Sequence, residues 1–497
     1  MSMEIIEKRM IQKIPSPKEA PLRAAKRLSP YVVSRDTERC IACGMCEIVC
    51  TRGVHERKYG YAVMSPPKSW LCDSCGSCGG EPQCVMKCPR GALEVGANPL
   101  LEVVGDKRWT GELIAATWME AETGMPPTNI EHRVGKSGGG FDRLRFRIPH
   151  GSSAVRPEDV SLSIELNRRK VGQKIRIGVP WYGGGMSYGS VSMNVILARA
   201  MAASWWDTFV CTGEGGYPDE LIPFKDHVIT QIATGLFGVR EETIARSRIV
   251  EFKYAQGAKP GLGGHLLADK VTPEVAKMRG VVPHSSLFSP FPFHSVYSIE
   301  DHRKHVDWIR SINPDAVVSA KVSTPADVDM VAVGVYYAGA NIVHIDGSYG
   351  GTGAAPNIAK KNIAMPVEYA ITKVHRFLTQ EGVRDKMVLI ASGGIRTAHD
   401  IAKAIALGAD GVVVGTSEMV AMGCRRCGNC KSGRGCPVGI ATTDPELVKQ
   451  VETQWAAARI SNLFHAWYVE LRELLSALEL ESIEELRGRT DLLQYQR

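Results

Sequence analysis

No apolar run in this 497-residue chain approaches the roughly eighteen residues that a membrane-spanning helix needs. Residues 1–30 also lack the continuous apolar stretch of a secretory signal, so a cytoplasmic location without membrane contact is expected. No G-x-G-x-x-G string occurs, which argues against a resident nicotinamide-nucleotide fold. Aromatics make up only 7%, and the net charge of +7 is spread along the chain, so nucleic acid is not expected as a partner. The one locally basic stretch is the N-terminal arm (Lys8, Arg9, Lys13, Lys18, Arg23, Lys26, Arg27), read as a docking or solvated arm. Repeats at solenoid periods are absent too. What remains, 44% apolar and 23% charged, is the composition of a globular protein.

The texture of the chain divides it. Residues 1–35 form the basic arm, and residues 36–100 carry nine cysteines with few long apolar runs. Residues 101–160 form a linker and pre-barrel segment containing the helix-like GELIAATWMEAET. From 161 to 440 buried strands alternate with amphipathic helices. The strands are read at KIRIGVP, TFVCTGEGG, RIVEFKYAQG, DAVVSAKVS, ANIVHIDGS, KMVLIASGG and DGVVVGTSE. Near-continuous apolar runs ending in glycine suit parallel strands buried on both faces. The alternation predicts an α/β fold, and the glycine-rich loops at the strand ends favour a closed (β/α)8 TIM-type barrel over an open sheet. Residues 441–497 read as a helical C-terminal segment.

Thirteen of the fourteen cysteines fall into three tight groups, and Cys211 stands alone. Thiols so close in sequence suit shared metal centres better than disulfides. The run Cys40, Cys43, Cys46, Cys50, followed by Cys72, Cys75, Cys84 and Cys88-Pro89, resembles the bacterial two-cluster ferredoxin. In that pattern the fourth cysteine of each run ligates the other cluster. The resemblance implies a ferredoxin-like 2[4Fe–4S] domain. Cys40, Cys43, Cys46 and Cys88 would hold one centre, and Cys72, Cys75, Cys84 and Cys50 the second. Two features depart from it: Thr51 stands where proline is usual, and Cys78 is one cysteine too many, able to replace Cys75 or Cys84. A pair of zinc sites is the alternative.

SGGIRTAHD (392–400) and VVVGTSE (412–418) follow the last two strands. In barrels, the loops after strands seven and eight commonly bind phosphate through backbone N–H groups, which makes Gly393, Gly394, Gly415 and Thr416 phosphate candidates. A phosphate-tethered flavin suits a chain rich in clusters, since flavins convert single electrons into hydrides.

The strings GGGMSYGSVS, CTGEGG, QGAKPGLGG, DGSYGGTGAAP and CPVGIATTDPEL, in this order over about 175–447, resemble the synthase domain of glutamate synthase. With the ferredoxin segment, the whole is similar to the archaeal-type members of that family. The resemblance implies FMN, with Met186, Ser187, Tyr188, Gly189, Thr212, Gln256, Lys321, Asp346, Gly350 and Gly351 among its contacts. It also implies a 2-oxoglutarate site at Lys259 and Arg279, two cations able to hold a dicarboxylate. Lys321 matches a lysine beside the flavin pyrimidine ring. Glu214, in the glycine loop, is read as a carboxylate that could help to accept ammonia. His265 stands where the family usually has a substrate-contacting glutamine. Behind the last strand the family binds a [3Fe–4S] cluster through three cysteines, matched by Cys424, Cys430 and Cys436. Cys427 is additional and could make the cluster [4Fe–4S].

The family's N-terminal nucleophilic cysteine does not follow Met1. Ammonia is therefore expected from solution or from a glutaminase-type subunit, beside a β-helix subunit. An NADPH-oxidising flavoprotein or reduced ferredoxin would donate electrons to an oligomeric assembly. The expected activity is reductive amination of 2-oxoglutarate to L-glutamate. The alternatives are an N-methylglutamate synthase using methylamine and a non-catalytic flavin and iron–sulfur electron carrier. A generic FMN-dependent hydroxy-acid oxidase fits least, since its chemistry needs no clusters.

Overall fold

A computed structural model describes residues 15–18, 29, 31–58, 62–72, 74, 81–127, 140–149, 151, 153–289, 293, 295–352, 355–356, 358–360, 362–431 and 435–496. Cys75, Cys78 and every basic arm residue named above except Lys18 lie outside the described residues.

Eight strands close into a parallel barrel in chain order: β1 (Trp181–Gly183), β2 (Val210–Glu214), β3 (Val228–Ala233), β4 (Ile249–Lys253), β5 (Val317–Ser323), β6 (Ile342–Asp346), β7 (Val388–Ser392) and β8 (Gly411–Val414). Every residue of β3, β5, β6, β7 and β8 is buried, as strands packed on both faces require. Six of the seven strands read from sequence are barrel strands.

The seventh reading is corrected. In KIRIGVP, Arg176–Ile177 pairs antiparallel with Ile164–Glu165 and lies outside the barrel. Its pattern, Ile175 and Ile177 buried around an exposed Arg176, is the alternation of a strand with one wet face. The first barrel strand follows at Trp181, and β3 (VITQIA) was not among the predicted strands. β1 is three residues ending in glycine, and β3 carries Gln231 at its centre, so neither presents a long apolar run.

Helices α1 (Gly111–Thr123), α2 (Met193–Trp205) and α4 (Thr453–Ala477) form one packed group on the barrel, with the short α3 (Thr416–Ala421) following β8. Thr110 caps α1 by accepting from the Leu113 amide, and Gly124 in the left-handed region ends it. α4 packs against both α1 and α2. Its Phe464 and Trp467 meet Trp181 edge-on at 5.6 and 5.9 Å between ring centroids. Such pairs contribute about 0.5–1.5 kcal/mol each beyond their burial. Arg459 of α4 donates to the carbonyls of Ala421 (2.5 Å) and Trp118 (3.0 Å), satisfying backbone acceptors of two other helices.

Upstream, Tyr31–Arg35 pairs antiparallel with Leu93–Ala97, so strand pairing begins inside the basic arm read from composition. Lys18 is docked: its amide donates to Asn462 Oδ1 (2.8 Å) and its ammonium lies 4.1 Å from the Trp205 ring centroid.

Candidate functional site

A cavity of about 880 Å³ opens where the barrel strands end, room for a cofactor-sized ligand and a small substrate. Of the residues named from sequence, Met186, Ser187, Gln256, Lys321, Asp346, Gly350, Gly351, Gly393, Gly394, Gly415 and Thr416 line it. So do Glu214, Lys259 and His265. Tyr188, Gly189, Thr212 and Arg279 do not form its wall. The Gly393–Gly394 turn needs glycine, with φ of +92° and +124°; a Cβ on Gly393 would lie 2.5 Å from the Gly347 carbonyl. These glycines leave an open cradle floored by backbone, the shape that fits a flavin with its phosphate at the loops after β7 and β8.

One side of the cavity is cationic. Lys253, at the end of β4, lies 3.1 Å from the Glu214 carboxylate at the end of β2. Lys259 stands buried beside them. Arg279 sits one layer behind, donating to Ser187 Oγ (3.0 Å) and to the Tyr188 carbonyl (2.9 Å). It fits there only because residue 215 is glycine, since a Cβ would come within 2.5 Å of the guanidinium carbon. Burial opposes ionisation of Glu214, but Lys253, Lys259 and Arg279 outweigh it and hold its carboxyl below the usual range. Burial, then Lys253, lowers Lys259 to about 8, with Glu214 pulling the other way. Three cations against one carboxylate leave two positive charges uncompensated. His265 stacks on Phe288 (4.5 Å between centroids, 17° between planes), and burial, then Lys259, lowers its pKa.

Beneath the cavity a polar network crosses the barrel interior. Glu251 accepts from Gln231 Nε2 (2.7 Å) and Ser319 Oγ (3.0 Å) and faces His344 Nδ1 at 2.9 Å. Ser392 donates to Asp346 Oδ1 (2.6 Å), so His344 Nε2, 2.7 Å from the same hydroxyl, must donate to it. Burial disfavours a charged Glu251, yet His344 and Lys321 hold its carboxyl at about 2. Nδ1 of the same ring faces the Glu251 carboxylate, so His344 links the two carboxylates through Ser392. Asp346 also accepts from the Gly257 amide (2.9 Å) and lies 3.5 Å from Lys321 Nζ. Burial lowers the Lys321 pKa, but Asp346 and Glu251 more than restore it, keeping a cation at the cavity floor.

Sequence reading missed Lys253, Gln231, Glu251, His344 and Ser392. Their signal was available: Glu251 and Lys253, Ser319 and Lys321, His344 and Asp346 are polar pairs two apart in buried strands, hence on one face.

The thiols form local groups. Cys40, Cys43, Cys46 and Cys88 line one small cavity of about 20 Å³. The Cys84 thiol is pushed up to about 11 by burial and by Cys50, Cys72 and Cys46 nearby. Behind β8, burial raises the Cys424 thiol to about 11, with Cys430 and Cys436 adding to it; Cys430 in turn feels Cys436 and Cys427. Thiols gathered this way are soft donors of the kind iron–sulfur clusters take, though among the described residues no three Cys, His, Asp or Glu side chains are placed to hold a single metal ion. Lys270 pins this loop, donating to the carbonyls of Cys430 (2.7 Å) and Ala441 (3.2 Å).

The family model described as a conserved region in glutamate synthase matches residues 143–481. The chain is 36% identical to the archaeal-type glutamate synthase [NADPH] of Dehalococcoides mccartyi, over 93% of this chain and 94% of that one. It is likewise 36% identical to the archaeal glutamate synthase [NADPH] of Methanocaldococcus jannaschii, with the same coverage. The glutamate synthase [NADPH] large chain of Azospirillum brasilense is 39% identical over 62% of this chain but only 21% of its own length. By sequence along nearly its whole length, this chain belongs to the glutamate synthase family.

Proposed function

We propose that this chain performs the synthase step, reductive amination of 2-oxoglutarate to L-glutamate. Atoms and electrons balance when the keto acid, ammonia, two electrons and two protons give the amino acid and water. The observation that carries the reading is the cationic side of the cavity, whose two uncompensated positive charges complement a dicarboxylate dianion. Lys259 and Lys253 would bind the carboxylates, with Arg279 adding charge from behind. Their fixed placement orients the carbonyl carbon, which is the larger part of what a protein contributes to such a step. Lys259, at about 8, can hold or release a proton near neutrality, as conversion of a carbonyl to an imine requires. Glu214 stays ionised and can hold the ammonium ion beside the ketone.

FMN, bound with its phosphate at Gly393, Gly394, Gly415 and Thr416, would supply the hydride. Lys321, kept charged by Asp346, would lie beside it. Cys40, Cys43, Cys46 and Cys88 would hold one [4Fe–4S] cluster, and Cys50, Cys72 and Cys84 with Cys75 the second. Cys424, Cys430 and Cys436 would hold a third beside the flavin, with Cys427 as the additional thiolate of a four-iron form. The nitrogen would come from a glutaminase-type partner or free ammonium, and electrons from an NADPH-oxidising flavoprotein or ferredoxin, in the cytoplasm.

Methylamine in place of ammonia is a second reading, kept open by His265, which lines the cavity where the family usually has a substrate-contacting glutamine. The test is anaerobic incubation of the iron- and flavin-loaded protein with reduced viologen and 2-oxoglutarate, plus ammonium or methylamine. Viologen-dependent glutamate supports the first reading, and a preference for N-methylglutamate the second. Flavin bleaching without either product would leave only an electron carrier.

A further inference from the structure

The loop between the short helix Leu100–Val103 and α1 reaches across to the barrel. Asp106 sets its shape, accepting from the amides of Arg108 (2.8 Å) and Trp109 (2.9 Å), and holds Arg426 of the thiol loop at 2.8 Å. The Arg108 carbonyl in turn accepts from Arg396 Nη1 (3.1 Å), on the segment just after the Gly393–Gly394 turn. With its backbone fixed, the Arg108 guanidinium stacks over the Tyr349 ring, 3.9 Å from the centroid. Its Nη2 comes to 3.1 Å from where a Cβ on Gly394 would stand. Arg108 is thus buried, aligned by a stacking plate and directed at the turn where a phosphate fits.

Arg396 cannot serve that turn, because its guanidinium is taken up by Asp142 (2.5 Å) and Asp400 (2.8 Å). Burial, then the neighbouring Arg396, lowers the Arg108 pKa, with Asp400, Glu368 and Asp142 pulling the other way.

Resting on the FMN reading above, we infer that Arg108, from the segment ahead of the barrel, is the cationic ligand of the flavin phosphomonoester at the Gly393–Gly394 turn. A planar fork suits phosphate oxygens, and stacking on Tyr349 keeps it pre-aligned.

The test titrates full-length protein, depleted of flavin, with FMN and with riboflavin, which lacks the phosphate, following quenching of flavin fluorescence. In Arg108→Met the FMN affinity should fall about tenfold or more. The riboflavin affinity should stay within about twofold, since a neutral ring system owes the guanidinium little. Arg108→Gln, closer in shape and polarity, should lose the same preference and serves if the methionine variant does not fold. Equal losses for both flavins would make Arg108 a structural residue only, and an unchanged FMN affinity would also overturn the inference. A wild-type protein that binds neither flavin would overturn the FMN reading itself, a distinguishable failure.

Discussion

Lys259 should make 2-oxoglutarate affinity pH-dependent in one direction and over one range. Its pKa in the free protein is lowered to about 8 by burial and Lys253. A bound dianion would pull it back up, so binding above pH 8 must be accompanied by proton uptake. Affinity should be level below about 8 and then weaken, approaching tenfold per pH unit. The neighbours do not blur this window. Glu214 is held below the usual carboxylate range, His265 below the usual histidine range, and Arg279 stays charged to about 10. The size of the effect follows from the charge removed. Two opposite charges about 4 Å apart interact by about 4 kcal/mol at the effective dielectric of a partly wet site, or about a thousandfold in affinity. Lys259→Met should therefore lose roughly that factor at pH 7, or less where Lys253 compensates, and its affinity should be flat from pH 7 to 9.5. Lys259→Arg should bind more weakly than wild type through altered geometry, yet also without the bend. Isothermal titration of the flavin-loaded, oxidised protein reads all three. A wild-type curve with no bend, or the same bend in Lys259→Arg, would refute the assignment of the titrating group.

Glu251→Gln puts an amide where a buried carboxylate accepts from Gln231 and Ser319 and faces His344, and should destabilise the fold by about 1–3 kcal/mol at pH 7 in guanidinium unfolding. Because the folded pKa of Glu251 is depressed, to about 2, that stabilisation is fully present above the unfolded value near 4.5 and is lost as pH falls towards 2. The deficit should accordingly be as large at pH 6 as at pH 7. Gly215→Ala drives a methyl group against Arg279 and forces an unfavourable φ of +116°, so KM for 2-oxoglutarate should rise about tenfold with a smaller change in kcat. Cys436→Ala should remove the iron of one cluster while flavin content stays near wild type, checked by iron analysis and flavin absorbance; loss of all iron would contradict separate clusters. Trp118→Phe removes the indole donor to the Val420 carbonyl (2.7 Å) and should lower stability by only about 0.5–1.5 kcal/mol, since that carbonyl keeps its bond from the Gly423 amide.

The barrel was legible wherever a strand is a long apolar run between glycines, as at β6 and β7. It was illegible where the strand is short, as at β1, or where a polar side chain points inward, as Gln231 does in β3. The same side chains explain what was missed at the site. The two-apart spacing of Glu251 with Lys253 and of His344 with Asp346 marks a shared face, but that Glu251 and His344 meet across strands is set by closure of the barrel. The glycine loops and cysteine groups were readable because turn geometry and shared ligation are local in sequence. Arg108 gave no local sign, since its partners Tyr349, Gly394 and Arg396 lie in loops after β6 and β7.

The Arg459 clasp bears on the order in which the polypeptide assembles. It joins α4 to the Trp118 carbonyl, 341 positions earlier in the chain, and to the end of α3. A ribosome delivers the N-terminus first, so the cysteine-rich segment and α1 emerge before the surface that receives them exists. During that interval the N-terminal thiols stand apart from the barrel, and the later arrival of α4 fastens α1, immediately downstream of them, onto it. Synthesis itself thereby separates folding of the cysteine-rich segment from its closure onto the barrel.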